Sequence, residues 1–227
     1  MTLPGLQVQA RGEIRVNLAG SHIRSAWALA QECESLERDH TWPATQHILD
    51  RHFGYASGAI VGASSGLEAA INELRQDAID GIDQSLGRAA AVKRQIIDLW
   101  DTVDRAPLVR KYDWVLTLAG AKPFDRGRDP FQSAASLIDL RNALVHYKPE
   151  WYNDLQQSER LENRLRGKFA ENRLVGEGMA FIPYRACGHG GGVWAVRSVI
   201  LFLRDFFDRL SVRPKKVEQM LALLAGG

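Results

Sequence analysis

Four glycines, Gly54, Gly58, Gly62 and Gly66, recur every four residues within a segment that keeps helical apolar spacing from Ala44 to about Ile79. An α-helix has 3.6 residues per turn, so the four fall on one stripe of its surface. Glycine in a helix interior costs about 1 kcal/mol relative to alanine. Four such costs on one face predict that another element packs very closely against it. A neighbouring helix of the same chain is the preferred reading, and a second copy of the chain is the other. Further along, Leu67, Ala70, Ile71 and Leu74 form a core stripe, while Glu68 and Asn72 sit one turn apart. Glu68 is a candidate to orient a catalytic group or to make a structural hydrogen bond. The window from Gly54 to Ile71 is the most membrane-like in the chain, but its glycines, serines and Glu68 make it too polar to span a bilayer.

The other helical segments follow from the same periodicity. Ser21 is a plausible N-cap for a helix through Ile23, Trp27, Leu29, Ala30, Cys33 and Leu36 to about Asp39, ended by Thr41-Trp42-Pro43. Gln84–Val103 and Ala106–Leu118 are amphipathic, and Gly120-Ala121-Lys122-Pro123 stops the second. A charged loop from Lys122 to Pro130 leads into a helix over about Pro130–His146. Asn153–Lys168 is charge-rich, with a basic flank of Arg160, Arg164, Arg166 and Lys168. Residues 171–192 read as a loop, Val193–Leu210 as a helix apolar on more than one side, and Pro214–Leu224 as a short terminal helix. Near the start, Leu6, Val8 and Ala10, then Ile14, Val16 and Leu18, alternate with polar residues, which predicts a β-hairpin. Met179–Arg185 is a candidate third strand, with Pro183 suited to an edge. The expected architecture is mainly α: an up-and-down helical bundle with a small antiparallel β appendage. A chain of 227 residues fits one domain, divided as appendage 1–20, core bundle 21–151 and additional helices 152–227.

The segment with chemical potential is Leu140-Arg141-Asn142-Ala143-Leu144-Val145-His146-Tyr147-Lys148-Pro149-Glu150-Trp151. Asn142 and His146 are four apart and share a helix face; the long side chain of Arg141 can reach the same region. A cation, an amide and an imidazole on one face can bind and protonate a phosphodiester. Cleaving RNA without a metal needs a base for the ribose 2′-OH, an acid for the leaving 5′-oxygen and a cation for the charged phosphorane. Histidine, with an ordinary pKa near 6.5, suits either proton transfer. Arginine keeps its charge and can donate twice to phosphate oxygens. Asn142 would bond phosphate or hold His146. Tyr147 and Lys148 are supporting candidates beside them.

The wording of this segment resembles the Arg-x4–6-His motif of the HEPN superfamily, including the Tyr and Pro that follow. Gly66–Leu74 is similar to an earlier helix of many HEPN-like chains, and the resemblance covers roughly Ser21 to Trp151. It implies a small HEPN-type α-helical bundle and metal-independent endoribonuclease activity, giving a 2′,3′-cyclic phosphate by transesterification. It further implies a homodimer that lines one cleft with both copies of the motif, so that two histidines serve the two proton transfers. The setting it suggests is a toxin of a toxin–antitoxin pair or a phage-defence effector, with RNA as substrate and an antitoxin or regulatory protein as partner. HEPN-like domains can also lack activity, so the alternative is a non-catalytic helical binding or oligomerisation module.

The remaining signals weigh against other chemistries. A net charge of +2 is too small for a strongly electropositive nucleic-acid binder, so any RNA-binding surface must be local. His40, His47 and His52 cluster in sequence but lack ligand spacing, and His-Glu-x-x-His is missing, so no metal or other cofactor is expected. No Gly-x-Ser-x-Gly supports a serine hydrolase. The run Cys187-Gly188-His189-Gly190-Gly191-Gly192 precedes a helix and could present backbone N–H groups and His189 to an anion; a flexible glycine turn with a solvent-exposed histidine is the plainer reading. Cys33 and Cys187 lie far apart without CxxC spacing, which predicts reduced thiols and a cytoplasmic location. The start Met1-Thr2-Leu3-Pro4-Gly5 has no secretory signal pattern.

Overall fold

In a computed structural model of the chain, residues 15–148 and 156–225 are described. They fold into α1 (Ala19–Asp39), α2 (Gln46–Asp80), α3 (Lys93–Val103), α4 (Leu108–Leu118), α5 (Phe131–Val145), α6 (Gln156–Leu165), α7 (His189–Arg209) and α8 (Lys215–Ala225). None of the described helices is long and apolar enough to cross a membrane.

The glycine stripe explains how the first two helices meet. A Cβ on Gly58 would come 3.0 Å from Leu29, one on Gly62 3.3 Å from Ala26, and one on Gly66 2.6 Å from Ile23. The contacts step backward along α1 as they step forward along α2, so the two helices pair antiparallel. Gly54 is the exception, since a Cβ there would meet nothing within 4 Å. The neighbour anticipated from the spacing is thus α1, at three of the four positions. α2 ends at Gly81, whose φ of 70° supplies the left-handed C-cap that glycine adopts without a Cβ penalty.

α7 lies across this pair. A Cβ on Gly192 would sit 3.1 Å from Ala30 and 3.2 Å from Ala59, so small residues of three helices meet at one point. The aromatic residues of α7 complete the core: Tyr112 of α4 stands edge-on to Phe202 and Phe206, with centroids 5.0 and 4.8 Å away. Its hydroxyl, fully buried, donates to the Leu67 carbonyl of α2 at 2.5 Å, and burial holds its pKa well above the usual phenol value. α3 and α5 pack on α2, α5 and α8 on α7, and α6 on α5. Leu161 and Leu165 of α6 and Val217 and Met220 of α8 join the same apolar core as α1, α2 and α7.

Two helix starts are satisfied from elsewhere in the chain. Neither α1 nor α7 has a side-chain cap of its own. The buried Glu73 of α2 accepts the Ala19 N–H at 2.8 Å and the Lys216 ammonium of α8 at 2.7 Å. Asp77, one turn on, accepts from Arg15 and from the Ser85 hydroxyl.

The β appendage is corrected. The described residues contain no strand. Residues 6–14 of the expected hairpin lie outside the described part, and residues 15–17 belong to no strand or helix and lead to the α1 N-cap, Leu18. Arg15 is drawn down onto Asp77 and Asp80 instead of into a ladder. Met179–Arg185 is likewise not a strand: Phe181–Arg185 curls into a single irregular turn. Phe181 and Ile182 are both buried, which a half-buried strand with alternating faces does not permit. The turn spends its N–H groups locally, as in Ala186 N–H to Phe181 carbonyl at 2.7 Å. The helix expected from Gln84 begins only at Lys93, after 3-10 turns over Asp83–Ser85 and Gly87–Val92. The loop reading of 171–192 is shortened, because the glycine run belongs to α7.

The α1–α2 contact predicts substitutions of opposite sign. Gly54→Ala should raise the unfolding free energy by about 0.5–1 kcal/mol, because it removes a helical glycine without a clash. Gly66→Ala should lower it by about 1–3 kcal/mol, since fully buried Ile23 has to move. Urea unfolding of the two variants beside wild type measures both.

Candidate functional site

α5 carries the motif. Its first part is anchored by buried Phe131, Ala134, Leu137 and Leu140, and an ion pair from Arg164 to Asp139, 2.7 Å, ties α6 alongside. Past Leu140 the helix comes out of the core. Asn142, Val145, His146, Tyr147 and Lys148 are exposed and Arg141 is half-buried. Val145 and the supporting candidate Tyr147 show 48% and 51% of their surface. The last turn closes on the His146 N–H, which donates to the Asn142 carbonyl at 2.9 Å.

Within this turn the structure joins two of the three motif side chains. Arg141 Nη1 donates to Asn142 Oδ1 at 2.9 Å, folding the guanidinium back along the helix end. Asn142 and His146 stand one turn apart on the same edge. The His146 ring makes no hydrogen bond among the described residues. Guanidinium, amide and imidazole therefore share the exposed end of α5.

Glu68 and Asn72 are exposed on α2. Among the described residues, no hydrogen bond or ion pair links either to Arg141 or His146. The basic flank of α6 is partly neutralised: Arg164 is engaged by Asp139, and Arg166 by Glu162. In the loop before α5, Arg126 pairs with Asp113 at 3.1 Å, so that segment is tied to α4.

His189 lies elsewhere, in the first turn of α7. It is half-buried, not a solvent-exposed histidine on a free turn: its Nδ1 sits 3.0 Å from the Ala30 carbonyl. Its backbone N–H donates to Glu37 Oε1 at 2.7 Å. An anion does occupy this helix N-terminus, and it is the carboxylate of α1. Beside it opens a groove of about 1080 Å³ along α7, walled by Lys168, His189, Arg197 and Arg204 together with Asp129 and Asp205. Arg209 is engaged by Asp205 at 2.9 Å, whereas Arg197 and Arg204 are exposed and without ion-pair partners among the described residues. Asp129 at the entry to α5 reaches the groove; the motif is at the other end of that helix.

A second cluster went unforeseen. Glu37 Oε1 also lies 2.8 Å from His52 Nε2 of α2, with both side chains nearly out of solvent, and 3.8 Å from the Cys33 sulfur. Cys33 and Glu37 are four apart on α1, a visible helical pair, but nothing local pointed to His52 as their partner. His40 and His47 do not join it. Burial pushes the Cys33 thiol far up, helped by the Glu37 carboxylate, and burial pushes Cys187 up to about 12. In the absence of a metal ion both thiols are therefore in the protonated form near neutrality. Removing the carboxylate with Glu37→Ala leaves the His189 N–H and the His52 ring without their acceptor. At about 1–3 kcal/mol for each buried orphan donor, the variant should lose roughly 2–6 kcal/mol of stability in a denaturant titration.

Comparison of the chain with family models, curated proteins and solved structures gives no match.

Proposed function

We propose that the chain is a metal-independent endoribonuclease of HEPN type that cleaves RNA by attack of the ribose 2′-OH, acting as a toxin or defence effector. The observation that carries the reading is the end of α5, where Arg141 is hydrogen-bonded to Asn142 and His146 stands exposed one turn on. Arg141 is the phosphorane-stabilising cation, Asn142 positions it and the phosphate, and His146 transfers a proton. One histidine cannot at once remove the 2′ proton and hold the proton for the 5′-oxygen. A homodimer facing two α5 ends together supplies the second, and the half-exposed Val145 and Tyr147 give the contact its apolar component. Exposed Arg197 and Arg204, seven residues apart on α7, offer about 10 Å of additional cationic edge to an extended RNA backbone.

The same exposed Val145 and Tyr147 favour a second reading, a non-catalytic oligomerisation module that uses this helix end only for contact. Labelled single-stranded RNA incubated with the protein in EDTA separates the two. Circular dichroism checks that the chain stays folded in the chelator. The nuclease reading expects cleavage with a 2′,3′-cyclic phosphate end, reduced by about 100-fold or more in Arg141→Ala and in His146→Ala. Intact RNA with a folded dimer rejects it in favour of the module.

A further inference from the structure

Away from the α5 motif, Cys33, Glu37 and His52 bring a sulfur, a carboxylate oxygen and an imidazole nitrogen within 4.8 Å of one another. Two of them are set by a single turn of α1 and the third by the second turn of α2. The antiparallel contact at Gly58, Gly62 and Gly66 fixes the relative position of those turns. Cys33 is fully buried, and the side chains of His52 and Glu37 are 2% and 9% exposed.

Hydrogen bonding accounts for only part of this arrangement. Glu37 Oε1 is well served by His52 and by the His189 N–H, but the Cys33 sulfur has nothing better than Glu37 at 3.8 Å and the His52 carbonyl at 4.0 Å. A thiol, a carboxylate and an imidazole facing one another out of water are a donor set for a borderline-soft divalent cation. Thiolate and imidazole select against magnesium and calcium, and the mixed sulfur, nitrogen and oxygen set suits zinc. A thiolate and a carboxylate together carry two negative charges, which cancel the charge of the ion. The His189 N–H bond to Glu37 would then orient a ligating oxygen from outside the shell. Cys187, also buried, immediately precedes Gly188, where a Cβ would lie 2.8 Å from Glu37 Oε1, so a second thiol is one residue from the cluster.

We propose that Cys33, Glu37 and His52 bind one zinc ion, which clasps α1 to α2 beside the N-terminus of α7. Binding forms a Zn–S bond as the Cys33 S–H bond breaks and the thiol proton leaves to solvent, while neutral His52 ligates through the ring nitrogen that carries no proton, its single N–H residing on the other nitrogen. The site is enclosed, so the ion's role is structural. The proposal stands apart from the ribonuclease reading, because none of its ligands belongs to the α5 motif.

Metal content of the purified full-length chain is measured by mass spectrometry, before and after chelator stripping and reloading with zinc(II). About one zinc per chain is expected. Reloading should raise the Tm of stripped protein by about 5 °C or more. Cobalt(II) in place of zinc should give a near-ultraviolet thiolate charge-transfer band. Cys33→Ser, which keeps the side-chain size, should lose the band, the zinc and the Tm response while its circular dichroism stays helical. If Cys33→Ser does not fold, the wild-type reloading, Tm and cobalt measurements decide by themselves. Wild type that neither carries zinc nor takes up zinc(II) or cobalt(II) overturns the proposal. So does a folded Cys33→Ser variant that binds zinc as fully as wild type.

Discussion

The structure depends on how near α1 and α2 can come. With glycine at 58, 62 and 66 and alanine at 26, the two backbones approach until a methyl group would collide with the opposite helix. That distance sets the rest. It places Ala30 and Ala59 together so that Gly192 of α7 can drop between them, and it aligns the far ends of the pair so that His52 reaches Glu37. Larger side chains on the stripe would hold the helices apart by more than a hydrogen bond can stretch. The close packing is therefore the condition for the polar contacts, and not merely one more apolar interface.

Those polar contacts share a design. The N–H groups left without a partner of their own at the starts of α1 and α7 are met by carboxylates on other helices, Glu73 for Ala19 and Glu37 for His189. A helix N-terminus carries a partial positive charge that favours an anion, and burial strengthens the bond by excluding water. The same carboxylates have further cationic or proton-bearing neighbours, Lys216 on Glu73 and His52 on Glu37. Each acid thus sits at a junction of three segments, and its charge is balanced from more than one direction.

How much of this was legible in the sequence follows from the range of the interactions. The glycine spacing announced a close helical contact because four-residue periodicity is local information. Helix ends marked by glycine or proline were close to their observed place, as where Thr41-Trp42-Pro43 follows α1 and Gly120-Ala121-Lys122-Pro123 follows α4. The apolar run misled at Met179–Arg185, because it shows which residues are apolar but not whether a partner strand exists. The glycine run that opens α7 looked like a loop for a similar reason: its contacts are with Glu37, Ala30 and Ala59, which come from far away in the chain. At the candidate site, the spacing of Asn142 and His146 was readable, whereas the Arg141–Asn142 bond and the exposure of the helix end were not. The meeting of Cys33, Glu37 and His52 joins two helices and had only its Cys33–Glu37 half written in local spacing.

The start of α7 has a consequence for the order in which the chain can fold. His189 to Gly192 is a poor sequence for beginning a helix, since three consecutive glycines lose more backbone entropy than they regain. What holds that turn is a carboxylate 152 residues earlier. Closing so long a loop is an entropic cost met only once α1 is in place. The aromatic remainder of α7 has helical spacing in its own sequence, but its first turn is stabilised only against α1. The wall of the groove at His189 and Gly190 is therefore shaped by the first helix of the chain.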